Sequence, residues 1–425
     1  RIPVEVIGDI DSLIGACNGC EKGLTQLVKK HGINKFEKYI EALHDYSESL
    51  MRDEISKMPN GIFEFEDYLD GLGDQPEPIK FKVKIKIDGD EVIIDWEGTS
   101  NQLDAAINGP MPTTNSMAYL AIRCMARAPI PNCAGFIRPI TVKAPHGSVV
   151  NPKEPAACAS RGIIAYRMLD TMFGALAKVA PDRIPAACEG GPTSNQISCY
   201  HNGRRYVTGG GILGCWGGRS RLDGLDGVSN PGANMSNQPI ELIEASVPMA
   251  VTRYGLVENS GGPGRSRGGY ALIREYKILS DEASLHVRSD RRAILPYGLQ
   301  HGAQGTPSWN IINSGQGQYA LPVCPMRPIF LKKNDRWCHI QAGGGGHGDP
   351  LERPVALVLE AFLNDMISCK YAAEIYGVVI KDNSVDEDAT TKLRKKMATS
   401  PRDENKHLGH FHDSLGINPK TIPYG

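Results

Sequence analysis

The chain has 425 residues, with 47 Lys and Arg against 48 Asp and Glu and 41% hydrophobic residues. That length accommodates two or three domains with substantial cores, and the near-cancelling charge gives no long-range field for nucleic acid or an anionic membrane. No stretch approaches the roughly 20 apolar residues that span a bilayer, and the start Arg1-Ile2-Pro3-Val4-Glu5 lacks the apolar core of a signal peptide, so a soluble, cytoplasmic protein is expected.

In chain order, residues from Lys22 to Met58 read as helices, because Phe36, Tyr39, Ile40, Leu43, Tyr46, Leu50 and Met51 recur at three-to-four spacing among charges. Ile79, Phe81, Val83, Ile85 and Ile87 alternate with Lys80, Lys82, Lys84 and Lys86; Asp88-Gly89 then turns the chain into Val92-Ile93-Ile94-Asp95-Trp96, a β-hairpin. Its lysine stripe reads as a solvated face or, alternatively, a phosphate-binding patch. Thr114 to Ala128 and Ser160 to Val179 have helical periodicity, the second expected to pack on the hairpin. From about 185 to 350 glycine is frequent and strands are short. Helices return near Pro354 to Leu363 and Lys370 to Ile375, and beyond Ile380 a polar, charged stretch is expected to be an extended arm or a partner-docking tail.

The fold class is therefore α+β and multi-domain. The expected divisions are a helical segment over 1–75, a mixed α/β domain over 76–184, a β-rich glycine-loop domain over 185–355, and C-terminal helices with an extended arm over 356–425.

The most distinctive run is Gln341-Ala342-Gly343-Gly344-Gly345-Gly346-His347-Gly348-Asp349-Pro350-Leu351-Glu352-Arg353. Glycine allows close backbone approach, so the amides of Gly343, Gly344, Gly345 and Gly346 offer an anion-binding concavity; the alternative is a strand-to-helix turn that binds nothing. Asp349, Pro350 and Glu352 fit the N-cap, N1 and N3 positions of a following helix. His347 is a general-base candidate, or an exposed loop residue.

Glu189 and Asn195, in Glu189-Gly190-Gly191-Pro192-Thr193-Ser194-Asn195, bring a carboxylate, hydroxyls and an amide together, unless the run is a Gly-Pro turn with an exposed Glu. Arg291 and Arg292 beside Asp290 suit a carboxylate or phosphate, as do Arg265 and Arg267; pairing inside the chain is the alternative. His407, His410 and His412 form the densest imidazole cluster, either metal ligands or histidines on a flexible tail.

Other signals are weaker. Gly209-Gly210-Gly211-Ile212-Leu213-Gly214 satisfies the letters of a dinucleotide fingerprint but precedes Trp216-Gly217-Gly218 instead of an amphipathic helix. Gly-Lys followed by Ser or Thr does not occur, which removes a P-loop, and no G-x-S-x-G elbow nominates a serine nucleophile. The 11 cysteines, an odd number, read as reduced thiols, and Cys17-Asn18-Gly19-Cys20 is a lone CxxC pair.

Taken in order, Asp95-Trp96-Glu97-Gly98-Thr99-Ser100-Asn101-Gln102 with Asn108, Pro131-Asn132 with Gly135 and Arg138-Pro139, and Asn151-Pro152 through Arg161 form one set of motifs. Gly261-Gly262-Pro263-Gly264-Arg265-Ser266-Arg267-Gly268-Gly269, Ser289-Asp290-Arg291-Arg292, Pro296-Tyr297-Gly298-Leu299, Gly302 through Pro307-Ser308 and Tyr376-Gly377-Val378-Val379 form another. Their order and spacing over about residues 1–380 resemble the hydantoinase B/oxoprolinase family.

The resemblance implies a β-type subunit of an ATP-dependent amidohydrolase that opens a hydantoin, 5-oxoproline or lactam ring. ATP and magnesium would sit on a hydantoinase A-like partner, in a heterotetramer or larger assembly without nucleic acid or membrane. Two alternatives stay open: a subunit of an ATP-dependent ketone carboxylase of the acetone or acetophenone type, and a non-catalytic scaffold. A divalent metal such as zinc is implied for the intact family member, with its His and Asp motifs expected upstream of Arg1.

Overall fold

The structure is a computed structural model that describes residues 3–313 and 317–424. Packing divides the chain into two compact units. One holds the segment ending at Met58 together with Ile87–Val92 and Ala126–Thr141; the other holds Pro59–Lys86, Ile93–Met125 and everything from Val142 onward. Arg1 and Ile2 of the expected N-terminal helical segment lie outside the described residues.

In the first unit α1 (Pro3–His31) and α2 (Ile33–Ser56) are separated by Gly32, whose φ of 78° only glycine adopts without strain. Helix therefore begins at Pro3, well before the expected Lys22. Gly8, Gly15, Gly19 and Gly23 weaken the local helical signal of this stretch. The buried face of α2 carries Met51 and Ile55, and the Ser47 hydroxyl donates to the Pro131 carbonyl at 2.8 Å.

A four-stranded sheet runs in chain order through β1 (Gly61–Leu69), β2 (Ile79–Asp88), β3 (Glu91–Asp95) and β4 (Ile140–Lys143). The expected hairpin is β2–β3, turned by Gly89 at φ 63°; β1 lies inside the stretch read as wholly helical. Helices α3 (Met111–Met125) and α4 (Gly162–Leu176) pack together. α4 lies on β1, the strand beside the hairpin, with Gly174 directly over the Phe65 ring.

The β-rich region holds β5 (Thr193–His201), β6 (Arg204–Ile212), α5 (Ile240–Ser246), β7 (Met249–Leu256), β8 (Leu272–Ile278) and β9 (Glu282–Arg288). It continues through β10 (Trp309–Ile312), β11 (Tyr319–Ala320), β12 (Ile329–Lys332) and β13 (Arg336–Ile340). Among the described residues these strands form sheets of order β11-β10-β13-β8-β7 and β12-β9-β5-β6. Strand alternation gives each sheet two faces. Leu272, Tyr276 and Ile278 share one buried cluster with Ile197, Leu285 and Trp337, whereas Ile273 turns to another with Trp309, Ile311 and Ile340.

The C-terminal part contains α6 (Val355–Leu363), α7 (Cys369–Tyr376), β14 (Ile380–Lys381), β15 (Ser384–Val385), α8 (Glu387–Ala398) and α9 (Lys406–Leu415). α7 is capped by the Ser368 side chain and closed by Gly377 in the left-handed region. The arm is not a loose tail: Phe411, Ile417 and Ile422 complete the cluster over Trp309 and Ile340. Among the described residues no helix is long and apolar enough to cross a membrane.

Candidate functional site

The candidate site is built around the glycine run. Gly343, Gly344, Gly345 and Gly346 are buried, and a Cβ on any of them would stand closer than 3.0 Å to main-chain atoms of Ser260, Trp216, Tyr297 or Pro263 respectively. Their amides are all engaged: Gly343 donates to the Thr306 hydroxyl at 3.1 Å, Gly344 to the Gly269 carbonyl at 3.0 Å, Gly345 to Ala187 at 2.9 Å and Gly346 to Ala303 at 2.8 Å. The run therefore presents no open anion concavity, and it is not a turn. It is an extended segment threaded between other glycine-rich segments, where absence of side chains lets backbones touch.

The Gly345 bond to Ala187 fixes the segment that ends in Glu189. Glu189 is 2% exposed, against the expectation of an exposed acid, and neither carboxyl oxygen has a hydrogen-bond partner of good geometry. Burial, reinforced by the Asp170 charge, pushes its pKa up to about 8, while the nearby amides of Glu189, Cys215 and Gly214 oppose the rise. It is therefore a neutral acid at pH 7. The next two residues, Gly190 and Gly191, have φ of 96° and 100° and lie flat on Arg291 and the Tyr166 ring.

Behind this bend is a buried charge network. The Arg167 guanidinium donates to Asp67 at 2.8 Å and, by its other terminus, to Asp290. Arg291 donates to Asp67 at 3.1 Å, to Asp170 at 2.7 Å and to the Leu295 carbonyl at 3.2 Å. Burial disfavours the Asp67 carboxylate, but Arg167 and Arg291 outweigh it and hold the pKa below the ordinary value. For Asp170 burial outweighs the same arginines and raises it. The Asp70 carboxylate caps the turn by accepting the amides of Arg292, Ala293 and Ile294.

Sequence reasoning missed Asp67, Asp70, Tyr166, Arg167 and Asp170. Arg167 and Asp170 sit three apart on one face of α4, the single local hint that both turn inward.

The remaining candidates are dispersed. Arg292 stacks on Trp309 with its guanidinium carbon 4.0 Å from the ring centroid and donates to the Ser308 carbonyl. Asn195 donates to the Gly210 carbonyl at 3.3 Å and lines a cavity of about 10 Å³ with Gly209, Arg274 and Tyr276, room for about one water. The Gly209-Gly210-Gly211 fingerprint lies within β6, paired to β5, rather than opening a helix.

His347 is buried, not exposed; its Nε2 meets the Pro181 carbonyl at 3.2 Å, Nδ1 has no partner, and burial lowers its pKa. Asp349 does cap a helix, but a 3-10 turn, Pro350–Glu352, because Pro354 delays α6 to Val355. Arg265 donates to the Ser220 carbonyl at 2.7 Å, and Arg267 to Asp226 at 2.9 Å.

The histidines of α9 do not converge on a metal. His410 meets Glu374 at 3.1 Å, His412 lies edge-on to Trp309, and His407 is buried with its pKa pushed down to about 4, chiefly by that burial. Among the described residues no group of three or more His, Cys, Asp or Glu side chains is placed to hold a metal ion.

The sequence profile described as Hydantoinase B/oxoprolinase matches residues 1–350. A Pseudomonas sp. (strain NS671) protein named as the B-type subunit of a D-/L-hydantoinase is 34% identical over 416 residues, 93% of this chain and 69% of that protein. The beta subunit of caprolactamase from Pseudomonas jessenii is 28% identical over 91% of this chain and 68% of its own length. The crystal structure of ATP-dependent caprolactamase from Pseudomonas jessenii superimposes with a TM-score of 0.82 at 27% identity, covering 91% of this chain and 69% of that one. Nucleotide-free acetone carboxylase shares the fold, with a TM-score of 0.74 at 16% identity over 95% of this chain and 66% of that one. With a family profile that spans most of its length, the chain belongs to the hydantoinase B/oxoprolinase family.

Proposed function

We propose that the chain is the β-type subunit of a heteromeric ATP-dependent cyclic-amide hydrolase that opens a hydantoin, 5-oxoproline or lactam ring through a phosphorylated intermediate. ATP and magnesium are held by a hydantoinase A-like partner. The observation that carries this reading is the likeness to the ATP-dependent caprolactamase over 91% of the chain at 27% identity. The likeness to acetone carboxylase, at 16% identity, is one of fold and does not favour the carboxylase reading.

An unstrained cyclic amide is resonance-stabilised; transfer of the ATP γ-phosphoryl group to its carbonyl oxygen activates the carbon for attack by water, the adduct collapses by breaking the C–N bond to give an acyl phosphate and a protonated amine, and a second water releases phosphate. What this chain contributes is a buried acid held over a network of paired charges. Glu189, with its pKa pushed up to about 8, is mostly protonated at pH 7 and is the proton donor assigned to the departing ring nitrogen. Arg167 and Arg291 hold the floor beneath it. Gly190 and Gly191 form the bend that must move for substrate to reach the acid. A divalent metal such as the zinc expected of the family has no ligand set among the described residues.

The test is a purified complex of this chain with its partner, assayed on hydantoin and lactam panels with and without ATP. Ring opening that requires ATP and is lost in assembled Glu189→Gln supports the reading. No turnover on any panel, with labelled bicarbonate entering a keto acid instead, contradicts it; a fully active Glu189→Gln enzyme removes the assigned acid.

A further inference from the structure

Helix α1 is 29 residues long and exposed at every described position except Val28 and His31, which are half-buried. Isolated helices are marginal in water, and tertiary packing normally supplies their stability. Yet α1 carries Val6, Ile10, Leu13, Cys17, Cys20, Leu24 and Leu27 at alternating spacings of four and three, the a and d positions of a coiled coil over three heptads. Val6, Ile10, Leu13, Leu24 and Leu27 are 48%, 50%, 68%, 52% and 46% exposed, and both cysteines are free and exposed. The seam is thus built for a helix that the chain itself does not supply among its described residues.

We propose that α1 pairs antiparallel with α1 of a second copy of this chain. The helix is complementary to its own reverse. Laying Cys17 against Cys20 of the other copy puts Ile10 opposite Leu27 and Leu13 opposite Leu24, layers that each join two apolar or thiol side chains, and sets Val6 against His31 at the end of the seam. In that register the flanking Asp9 faces Lys30, an ion pair formed twice by symmetry, while on the other flank Ile7 faces Val28 and Ile14 faces Glu21. Ala16 and Gly23 face each other, small residues that let the helices approach. A parallel pair sets Asp9 against Ile14 and Ala16 against Glu21, with no ion pair. Flanking charges of this kind set orientation. The pairing does not depend on the proposed reaction.

The test uses the full chain, with diamide oxidising one thiol pair per disulfide and cross-links located by peptide mass spectrometry. Cys17→Ser and Cys20→Ser variants are oxidised separately and mixed. The antiparallel pair predicts a Cys17–Cys20 cross-link between copies in the mixture alone. Cross-links at Cys17 or Cys20 in each variant by itself mean a parallel pair and overturn the proposal. Sedimentation supplies the second reading: Leu13→Glu weakens self-association at least about tenfold, and Asp9→Lys is rescued by Lys30→Asp. A chain that stays single at high concentration, or one whose α1 seam is shielded while it is single, overturns the proposal and assigns the seam to another occupant.

Discussion

Arg291 donates to the Asp170 carboxylate at 2.7 Å with both side chains closed to solvent. Truncating one member of such a pair leaves the other as an uncompensated buried charge, which is where most of the cost arises. Arg291→Met is expected to destabilise the chain by about 3–5 kcal/mol in urea unfolding. Asp170→Asn is expected to cost less, because burial already raises the Asp170 pKa and a neutral amide oxygen still accepts the Arg291 proton. A loss under about 1 kcal/mol for Arg291→Met would show that the network relaxes or admits water.

Glu189 makes a prediction with a definite sign. Its pKa is raised from 4.5 to about 8 in the folded chain, so the unfolded state ionises first as pH rises. The favourable contribution is full below pH 4.5 and is lost progressively up to about pH 8, at no more than about 1.4 kcal/mol per pH unit. Glu189→Gln is expected to flatten this decline, so the variant gains relative to the parent between pH 5 and pH 8. Parallel pH–stability curves for the two proteins would mean that the carboxyl is already ionised or solvated.

The glycine run is expected to fail by folding rather than by chemistry. Gly345→Ala drives a methyl closer than 3.0 Å to the Tyr297 carbonyl, inside a backbone lattice with no flexible side chain to yield. Gly255, in β7, has nothing within 4 Å of the same added atom. Soluble yield and melting temperature should collapse for Gly345→Ala and hold for Gly255→Ala. Normal yield of Gly345→Ala would show that the lattice can open to admit a methyl group.

His407 gives an acid-side counterpart. Its pKa falls from 6.5 to about 4, so its contribution is present above pH 6.5 and disappears as pH drops toward 4, where the unfolded state binds the proton first. His407→Gln should soften acid unfolding in that window. The same variant should leave zinc uptake unchanged, since the α9 histidines face separate partners. Loss of a zinc equivalent would restore the tail as a metal site.

Period and family motifs carried much of the fold. The alternation of Ile79 to Ile87 specified β2 and its faces, and the apolar spacing from Ser160 specified α4, because each pattern is local. Besides the start of α1 and the packed C-terminal arm, β1 and the contacts of the glycine run escaped. β1 offers Phe63, Phe65 and Leu69 on one face but places Asp67 on that face too, a polar interruption that only Arg167 and Arg291 explain, about 100 and 224 residues away. In the glycine run, composition announced close approach but not what approaches: four amides that look available in sequence are consumed by Thr306, Gly269, Ala187 and Ala303. Among the site residues, Glu189 and Arg291 were visible as motif letters, whereas the burial that makes Glu189 a neutral acid is a property of the assembled fold.

The most direct measurement is the stoichiometry of ADP release against ring-opened product in the complex of this chain with the ATP-binding partner proposed for it. The account predicts one ADP per ring opened, with neither product formed when ATP or the cyclic amide is omitted. Ring opening that proceeds at the same rate without ATP, or ADP release with no ring opened, would contradict it.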